Sequence, residues 1–191
     1  MTTVDRTVFI MRGVPGSGKS TVALGIARSL SSYAIHSTDD LCMVDGEYKF
    51  DIELAGERHE QNYQNFLVSL QKGLPYVIVD NTNVKVKQYA PYVEAAQAAD
   101  YAVVFVELHH PDLDVAVERN THGVPREIIN QMMLEWEPSQ HSAIVADVTE
   151  AARVVEYLQD HMKAGIWLGV AAGAALGAFV VAVAWLIWPG C

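Results

Sequence analysis

Gly-Val-Pro-Gly-Ser-Gly-Lys-Ser-Thr, residues 13–21, is a complete G-x-x-x-x-G-K-S/T motif. The apolar run at residues 8–11 before it is suited to a buried strand, and residues 20–30 after it place apolar side chains on one face of a helix. In such a loop the backbone N–H groups close around phosphates, and the N-terminus of the helix favours the anion. A glycine-rich turn that binds nothing would not need strand, loop and helix in this order. The stretch therefore predicts a P-loop that binds ATP or GTP.

Each residue type of this loop suggests a role. Lys19 is expected to reach the outer phosphates of the nucleotide, and the Ser20 hydroxyl is expected to bind Mg²⁺. We therefore expect ATP and Mg²⁺ as the cofactors. The predicted nucleotide-binding residues are Gly13, Gly16, Ser17, Gly18, Lys19, Ser20 and Thr21.

Strand-like and helix-like segments alternate along the rest of the chain. This alternation predicts an α/β P-loop fold, a parallel sheet with helices on both faces, in a domain of residues 1–160. Residues 39–50 are mostly polar and contain a glycine, which indicates a loop. Beyond the first strand and helix, the predicted strands cover residues 33–37, 76–80, 101–107 and 143–147, and the predicted helices cover residues 52–72, 85–99, 113–120, 125–136 and 149–162.

The C-terminal part is apolar from residue 164 to residue 188, and no charged residue follows Lys163. Since an α-helix rises about 1.5 Å per residue, about 20 residues cross a hydrocarbon core of about 30 Å. A buried core helix is the alternative, but this run is too long for one and is apolar all round. Residues 164–188 are therefore predicted to form one transmembrane helix, a single-pass tail anchor that tethers the chain to a membrane. Because no signal-peptide pattern precedes the P-loop, we expect the N-terminal domain in the cytosol.

Four glycines of this segment recur at every fourth position: Gly165, Gly169, Gly173 and Gly177. Glycines on one face let membrane helices approach closely, so the spacing favours a homo-oligomer. An alanine- and glycine-rich spacer in which the spacing is incidental is the alternative.

The chain carries a formal net charge of −10, with every charged residue at or before Lys163. This acidity argues against a broad groove that tracks a nucleic-acid backbone, because such a groove is basic. A nucleic-acid end or a small substrate could still bind in one local basic pocket. The two cysteines, Cys42 and Cys191, are too far apart to indicate a disulfide framework or a zinc site.

Four sequence blocks follow one another in order: the P-loop, Ser-Thr-Asp-Asp at residues 37–40, Val-Asp-Asn-Thr-Asn at residues 79–83, and Arg-Asn-Thr-His-Gly-Val-Pro at residues 119–125. Together they resemble the polynucleotide-kinase-like branch of the P-loop kinases. Within that branch they are most similar to the subgroup that contains the kinase-like domain of CNPase and ubiquitin-ligase-binding relatives. The resemblance covers roughly residues 6–137 and implies transfer of a phosphoryl group from ATP to a hydroxyl.

By this resemblance, Asp39 takes the proton from the acceptor hydroxyl. A carboxylate suits that role because phosphoryl transfer depends mainly on positioning and charge stabilisation. From the residues alone, Asp39 or Asp40 could instead cap the segment that follows. Kinases of this family that act on nucleic-acid ends have an arginine three residues after this aspartate, where this chain has Cys42. The sequence therefore predicts that a substrate-orienting cation is missing.

Two further residues have predicted roles in the transfer. Asp80 ends an apolar strand like a Walker B carboxylate and is predicted to hold Mg²⁺ through water, with Asn81 and Asn83 facing the crevice; a simple turn is the alternative. Arg119 lies where the lid arginines of P-loop kinases approach the transferring phosphate, a contact worth about 10³-fold or more in rate. A solvated arginine at a helix end is the alternative there.

Two functions from different classes fit these features. The preferred one is a membrane-tethered phosphotransferase that moves the γ-phosphate of ATP to a hydroxyl of a nucleic-acid end, a nucleotide or another small molecule. The alternative is an ATP-binding or ATP-hydrolysing scaffold or switch at a membrane, with no acceptor substrate. The single His36-x-Thr38 motif does not predict a phosphodiesterase of the CNPase type, because that chemistry uses two such motifs.

Overall fold

The structure, a computed structural model, describes residues 6–139 and 143–146. The predicted transmembrane helix at residues 164–188, its glycine series and the predicted helix at residues 149–162 lie outside the described residues. Among the residues that are described, no helix combines the length and the apolar character needed to cross a membrane.

Strands and helices alternate through the described residues, as the sequence predicted. A short 3-10 turn, Asp39–Cys42, is also present. The elements in chain order are β1 (Thr7–Arg12), α1 (Lys19–Arg28), β2 (Tyr33–His36), β3 (Met43–Val44), β4 (Glu47–Tyr48), α2 (Ala55–Gln71), β5 (Tyr76–Asp80), α3 (Val86–Ala98), β6 (Ala102–Leu108), α4 (Leu113–Arg119), α5 (Arg126–Leu134) and β7 (Ala143–Ala146).

Five strands form one parallel sheet in the order β2-β5-β1-β6-β7. β1 lies at the centre, with Phe9 opposite Ile78 on one side and Val104 on the other. All six residues of β1 are buried, which explains its continuous apolar run, since a central parallel strand is covered on both faces. The predicted α/β P-loop fold with a parallel sheet is confirmed.

Alternate side chains of β1 point to opposite faces of the sheet and enter two separate cores. Phe9 and Met11 pack with Val22 and Ile26 of α1. Val8 and Ile10 belong to a second core with aromatic side chains of α2 and α3. Helices therefore cover both faces, and α1 is held directly behind the loop that follows β1.

The segment predicted as a loop, residues 39–50, contains the 3-10 turn and a two-stranded hairpin of β3 and β4. Asp45 and Gly46 at its tip have φ values of 54° and 80°. An Asp-Gly pair with both φ angles positive is a favoured two-residue hairpin turn, and this signal was missed in the sequence. As a further difference, α2 begins at Ala55 and not at residue 52.

The guanidinium of Arg12, at the end of β1, is fully buried. It donates to the Glu107 carboxylate of β6 at 2.6 Å, to the Asn83 carbonyl at 2.9 Å and to the Glu137 carbonyl at 2.6 Å. It also lies 4.4 Å from the centre of the Trp136 ring, within range of a cation–π contact. One side chain therefore joins the central strand to β6, to the loop after β5 and to the segment after α5.

Arg12→Met should lower the free energy of unfolding by about 3–5 kcal/mol, because the partners of a buried cation are left unpaired. Arg28→Met removes an exposed arginine at the end of α1 and should cost less than about 1 kcal/mol. Urea denaturation followed by circular dichroism would compare the two variants with the native chain. Equal costs for both substitutions would contradict a stabilising role for Arg12.

Candidate active site

A cleft of about 680 Å³ opens beside the P-loop. β1 and β6 are neighbours in the sheet. The connection that leaves β1 runs to β2 on one side, and the connection that leaves β6 runs to β7 on the other side. In open α/β sheets ligands bind outside the carboxyl ends of the strands at such a switch point. The cleft is lined by the P-loop, by parts of residues 38–59, by residues 81–82 and by parts of residues 119–132.

The backbone of the P-loop has a shape that only glycine accommodates. Gly16 and Gly18 have φ values of 77° and 93°, in the left-handed region. A Cβ on Gly16 would also collide with the backbone carbonyl of Ala116 in α4. At Gly13 a Cβ would lie 2.5 Å from Ser17 Oγ. The loop is therefore packed tightly between β1 and α4, with its backbone next to the cleft.

Lys19 is the first residue of α1 and lines the cleft together with Ser20. Its ammonium group donates to the Val14 carbonyl at 3.5 Å. Burial lowers the pKa of Lys19, whereas the negative charges of Asp80 and Asp39 act in the opposite direction. The lysine therefore lies between the P-loop backbone and two carboxylates, where a phosphate group would provide further negative charge.

Asp80 is the last residue of β5 and is only 6% exposed. Its Oδ1 atom is buried and has no hydrogen-bond partner among the described residues. A buried carboxylate oxygen without a partner is costly, so this atom fits a site for a cation or a cation-bound water. Mg²⁺ in nucleotide sites is usually held by one or two protein ligands together with phosphate and water. Ser20 and Asp80 would hold it in this way.

Asp39 begins the 3-10 turn after β2, and its side chain is half exposed beside the cleft. Its Oδ1 accepts a hydrogen bond from the Tyr48 hydroxyl at 3.1 Å, and its Oδ2 lies 3.7 Å from Nε2 of His122. No side-chain capping bond forms at the start of this turn. The Asp39 carboxylate is therefore oriented by two side chains, those of Tyr48 and His122.

Tyr48 is a site residue that the sequence analysis missed. Its ring packs against that of His122 at 4.4 Å, in addition to its bond to Asp39. Burial, and then the neighbouring Asp39, raise the pKa of Tyr48 well above its usual value. The phenol therefore stays protonated and remains a donor to the carboxylate. The Asp-Gly hairpin turn would have been the only signal for its position, because the hairpin carries Tyr48 back towards Asp39.

Of the two arginines at the ends of the segment between α4 and α5, one lines the cleft. Arg119, at the end of α4, is exposed, lines the cleft and forms no ion pair with any described residue. Arg126 instead pairs with Asp114 at 2.6 Å and is not part of the lining. Of these two arginines, Arg119 is therefore the one without an ion pair among the residues that the structure describes.

The two asparagines after β5 differ from the prediction that both face the crevice. Asn81 lines the cleft and accepts a hydrogen bond from the Thr38 backbone N–H at 3.0 Å. Asn83 is buried with φ at 49° and donates to the Met11 carbonyl at 2.8 Å. This hydrogen bond holds the Asn83 side chain inside the protein and ties the loop after β5 to the central strand.

Cys42 has a cation as its neighbour in space, although the absence of a substrate-orienting cation at position 42 itself stays a prediction. Arg58, in the first turn of α2, lines the cleft with its Nη1 3.4 Å from the Cys42 sulfur. His36, by contrast, is not part of the lining; it bonds Ser69 Oγ at 2.9 Å, and burial lowers its pKa to about 4. Nothing in the local sequence around residue 58 signals this position, because it depends on how α2 packs against the 3-10 turn.

Similarities to known proteins agree with this geometry. A family model described as an AAA domain matches residues 8–133. The human protein NEDD4-binding protein 2 is 35% identical over 140 residues, which are 70% of this chain and only 8% of that protein.

Two solved kinase structures share the fold. A gluconokinase from Sinorhizobium meliloti 1021 has a TM-score of 0.53 at 21% identity, covering 83% of this chain and 97% of that one. The Mycobacterium tuberculosis APS kinase CysC, in complex with AMPPNP and APS, has a TM-score of 0.54 at 17% identity, covering 81% and 98%. The predicted P-loop kinase or ATPase is thus confirmed at the level of the fold. The family model matches residues 8–133, well over half of this chain. This chain therefore belongs to the AAA-domain family and has the fold of the P-loop kinases.

Proposed function

We propose that this chain is an ATP-dependent phosphotransferase that moves the γ-phosphate of ATP to a hydroxyl of a nucleic-acid end, a nucleotide or another small molecule. One observation carries the proposal: Lys19 of the P-loop, the oriented carboxylate of Asp39 and the unpaired Arg119 line the same cleft. A phosphate-binding group, a base and a cation for the transferring phosphate are the parts that phosphoryl transfer needs.

In the proposed reaction the acceptor hydroxyl attacks the γ-phosphorus, a new P–O bond forms and the bond to the β-phosphate oxygen breaks. The hydroxyl proton passes to Asp39, whose Oδ1 is held by Tyr48, and ADP leaves. Lys19 and Arg119 supply positive charge to the phosphate oxygens. When bound, Mg²⁺ would neutralise charge that develops on the phosphates. The chain therefore positions the groups, and its contribution to covalent chemistry is limited to the proton.

The size of the cleft also supports an acceptor. The lining includes Asp39, Phe50 and Arg58 in addition to the P-loop. The P-loop would hold the phosphates of ATP, and the part of the cleft lined by Asp39, Phe50 and Arg58, which we call the acceptor end, would hold the acceptor. A scaffold or switch that only binds or hydrolyses ATP does not need room for an acceptor. The experiment with γ-labelled ATP described next also tests this scaffold or switch alternative.

Asp39→Asn should keep ATP binding but lower phosphoryl transfer by about 10²-fold or more, the usual contribution of a positioned base. Transfer would be measured with γ-labelled ATP and a panel of oligonucleotide 5′-ends, nucleosides and sugars. Lys19→Ala is the comparison variant, because it should lose ATP binding itself. ATP hydrolysis by the native chain with no labelled acceptor would instead support the switch.

Gly16→Ala should weaken ATP binding by at least about 10-fold, because the new Cβ collides with α4 and displaces the loop backbone. Gly73→Ala is a matched control: its φ is also positive at 67°, yet a Cβ there meets nothing within 4 Å. Both variants carry the backbone strain of about 1 kcal/mol, and only one carries the collision. ATP affinity would be measured by calorimetry. Equal affinity losses in the two variants would mean that the loop and α4 do not form the binding cradle.

We also propose that residues 164–188 anchor the phosphotransferase in a membrane, with the N-terminal domain on the cytosolic side. The support is the length and the uncharged, apolar character of this stretch. Alkaline carbonate extraction of membranes from expressing cells should leave the full chain in the pellet. A chain with residues 164–191 deleted should appear in the supernatant. Release of the full chain would contradict the anchor.

A further inference from the structure

At the acceptor end of the cleft the structure places a cation that no local sequence pattern indicated. Arg58 Nη1 donates to the Lys49 carbonyl at 3.0 Å and contacts the Cys42 sulfur at 3.4 Å. These contacts hold the guanidinium beside the 3-10 turn that Asp39 begins, only three residues before Cys42. We propose that Arg58 binds an oxyanion, a phosphate or carboxylate, on the acceptor molecule. This inference rests on the proposed phosphotransfer.

The first argument is that the charge of Arg58 is not neutralised within the described residues. Arg58 is half-buried and forms no ion pair there. Both of its protein contacts use Nη1, so that Nε and Nη2 remain as donors. A planar guanidinium with an unused edge matches the two oxygens of a phosphate or carboxylate group.

The second argument is that Arg58 is the side chain that brings positive charge to this end. His59 also lines the cleft, but burial lowers its pKa, although Asp39 opposes the shift, so the imidazole is neutral near pH 7. Lys49 is absent from the lining and faces Glu47 at 3.4 Å. An anionic group at this end therefore has Arg58 as its partner.

The third argument concerns the rest of the wall. Phe50 and Ile52 line the same end and are 60% and 76% exposed. Exposed apolar side chains beside a cation fit a molecule that has a ring or another apolar part next to its anionic group. Acceptors with an oxyanion near the hydroxyl should therefore be selected over their neutral parents.

The test measures binding at this end directly, with the full chain in detergent and the P-loop filled by Mg²⁺ and a non-hydrolysable ATP analogue. Three anionic probes are compared with their neutral parents: adenosine 3′-phosphate with adenosine, and glucose 6-phosphate and glucuronate with glucose. At least one anionic probe should bind about 10-fold or more tightly than its parent, as expected for hydrogen bonds to charged groups. The three arms separate nucleotide, sugar-phosphate and carboxylate acceptors.

Arg58→Met should bring this preference to within about twofold, whereas Arg28→Met, which removes the same charge at a residue outside the cleft lining, should keep it. ATP affinity reports whether each variant is folded. Should Arg58→Met not fold, Arg58→Lys keeps the charge without the planar fork and should retain only part of the preference. A role limited to tying the hairpin to α2 would not change the ratio between charged and neutral probes.

Two results would overturn the inference: no anionic probe preferred by the native chain, or a preference that survives Arg58→Met. The phosphotransfer proposal fails in a different way. In that case the native chain labels no acceptor from γ-labelled ATP, while Arg58-dependent binding of an anionic probe is still measured and the anion site stands.

Discussion

The buried guanidinium of Arg12 is the interaction on which the position of the P-loop depends. A cation out of contact with water is tolerated only when it is paired and hydrogen-bonded, and Arg12 has a carboxylate and three backbone carbonyls as partners. Two aromatic rings, of Tyr89 and Trp136, lie within 5.0 Å and 4.4 Å. Because Gly13 follows directly, these contacts fix the point at which the chain leaves the sheet and enters the loop.

The cleft that begins at the P-loop has two halves, one formed mainly by backbone and the other by side chains. The phosphate half depends on backbone: glycines with positive φ, a helix N-terminus and the contact of Gly16 with α4. The other half depends on side chains from the 3-10 turn, the hairpin and α2, among them Asp39 and Arg58, and in the proposed transfer it would hold the acceptor. Backbone suits a ligand part common to all nucleotides, and side chains suit a part that differs between acceptors.

Electrostatics inside the cleft is strongly local. The chain carries a net charge of −10, and carboxylates cluster beside the P-loop. Burial, together with the charges of Asp80 and Asp39, raises the pKa of Asp40, so negative charge here is already unfavourable. A phosphate group that binds here is therefore stabilised where a cation offsets this field. Lys19, Arg119 and Arg58 provide such places at three points of the lining.

The sequence by itself determined the P-loop and the parallel sheet, and it gave the bounds of β5 as the structure has them. These features are encoded locally, in glycine positions and in apolar runs of a few residues. Tertiary structure decided that Arg12 is buried and that Arg58 contacts Cys42. The partners of Arg12 are 71 to 125 residues away in the chain, and Arg58 reaches the cleft beside Cys42 only because α2 packs on the 3-10 turn. An arginine looks the same in a sequence whether water or a buried carboxylate is its partner, and long-range packing determines which one it meets.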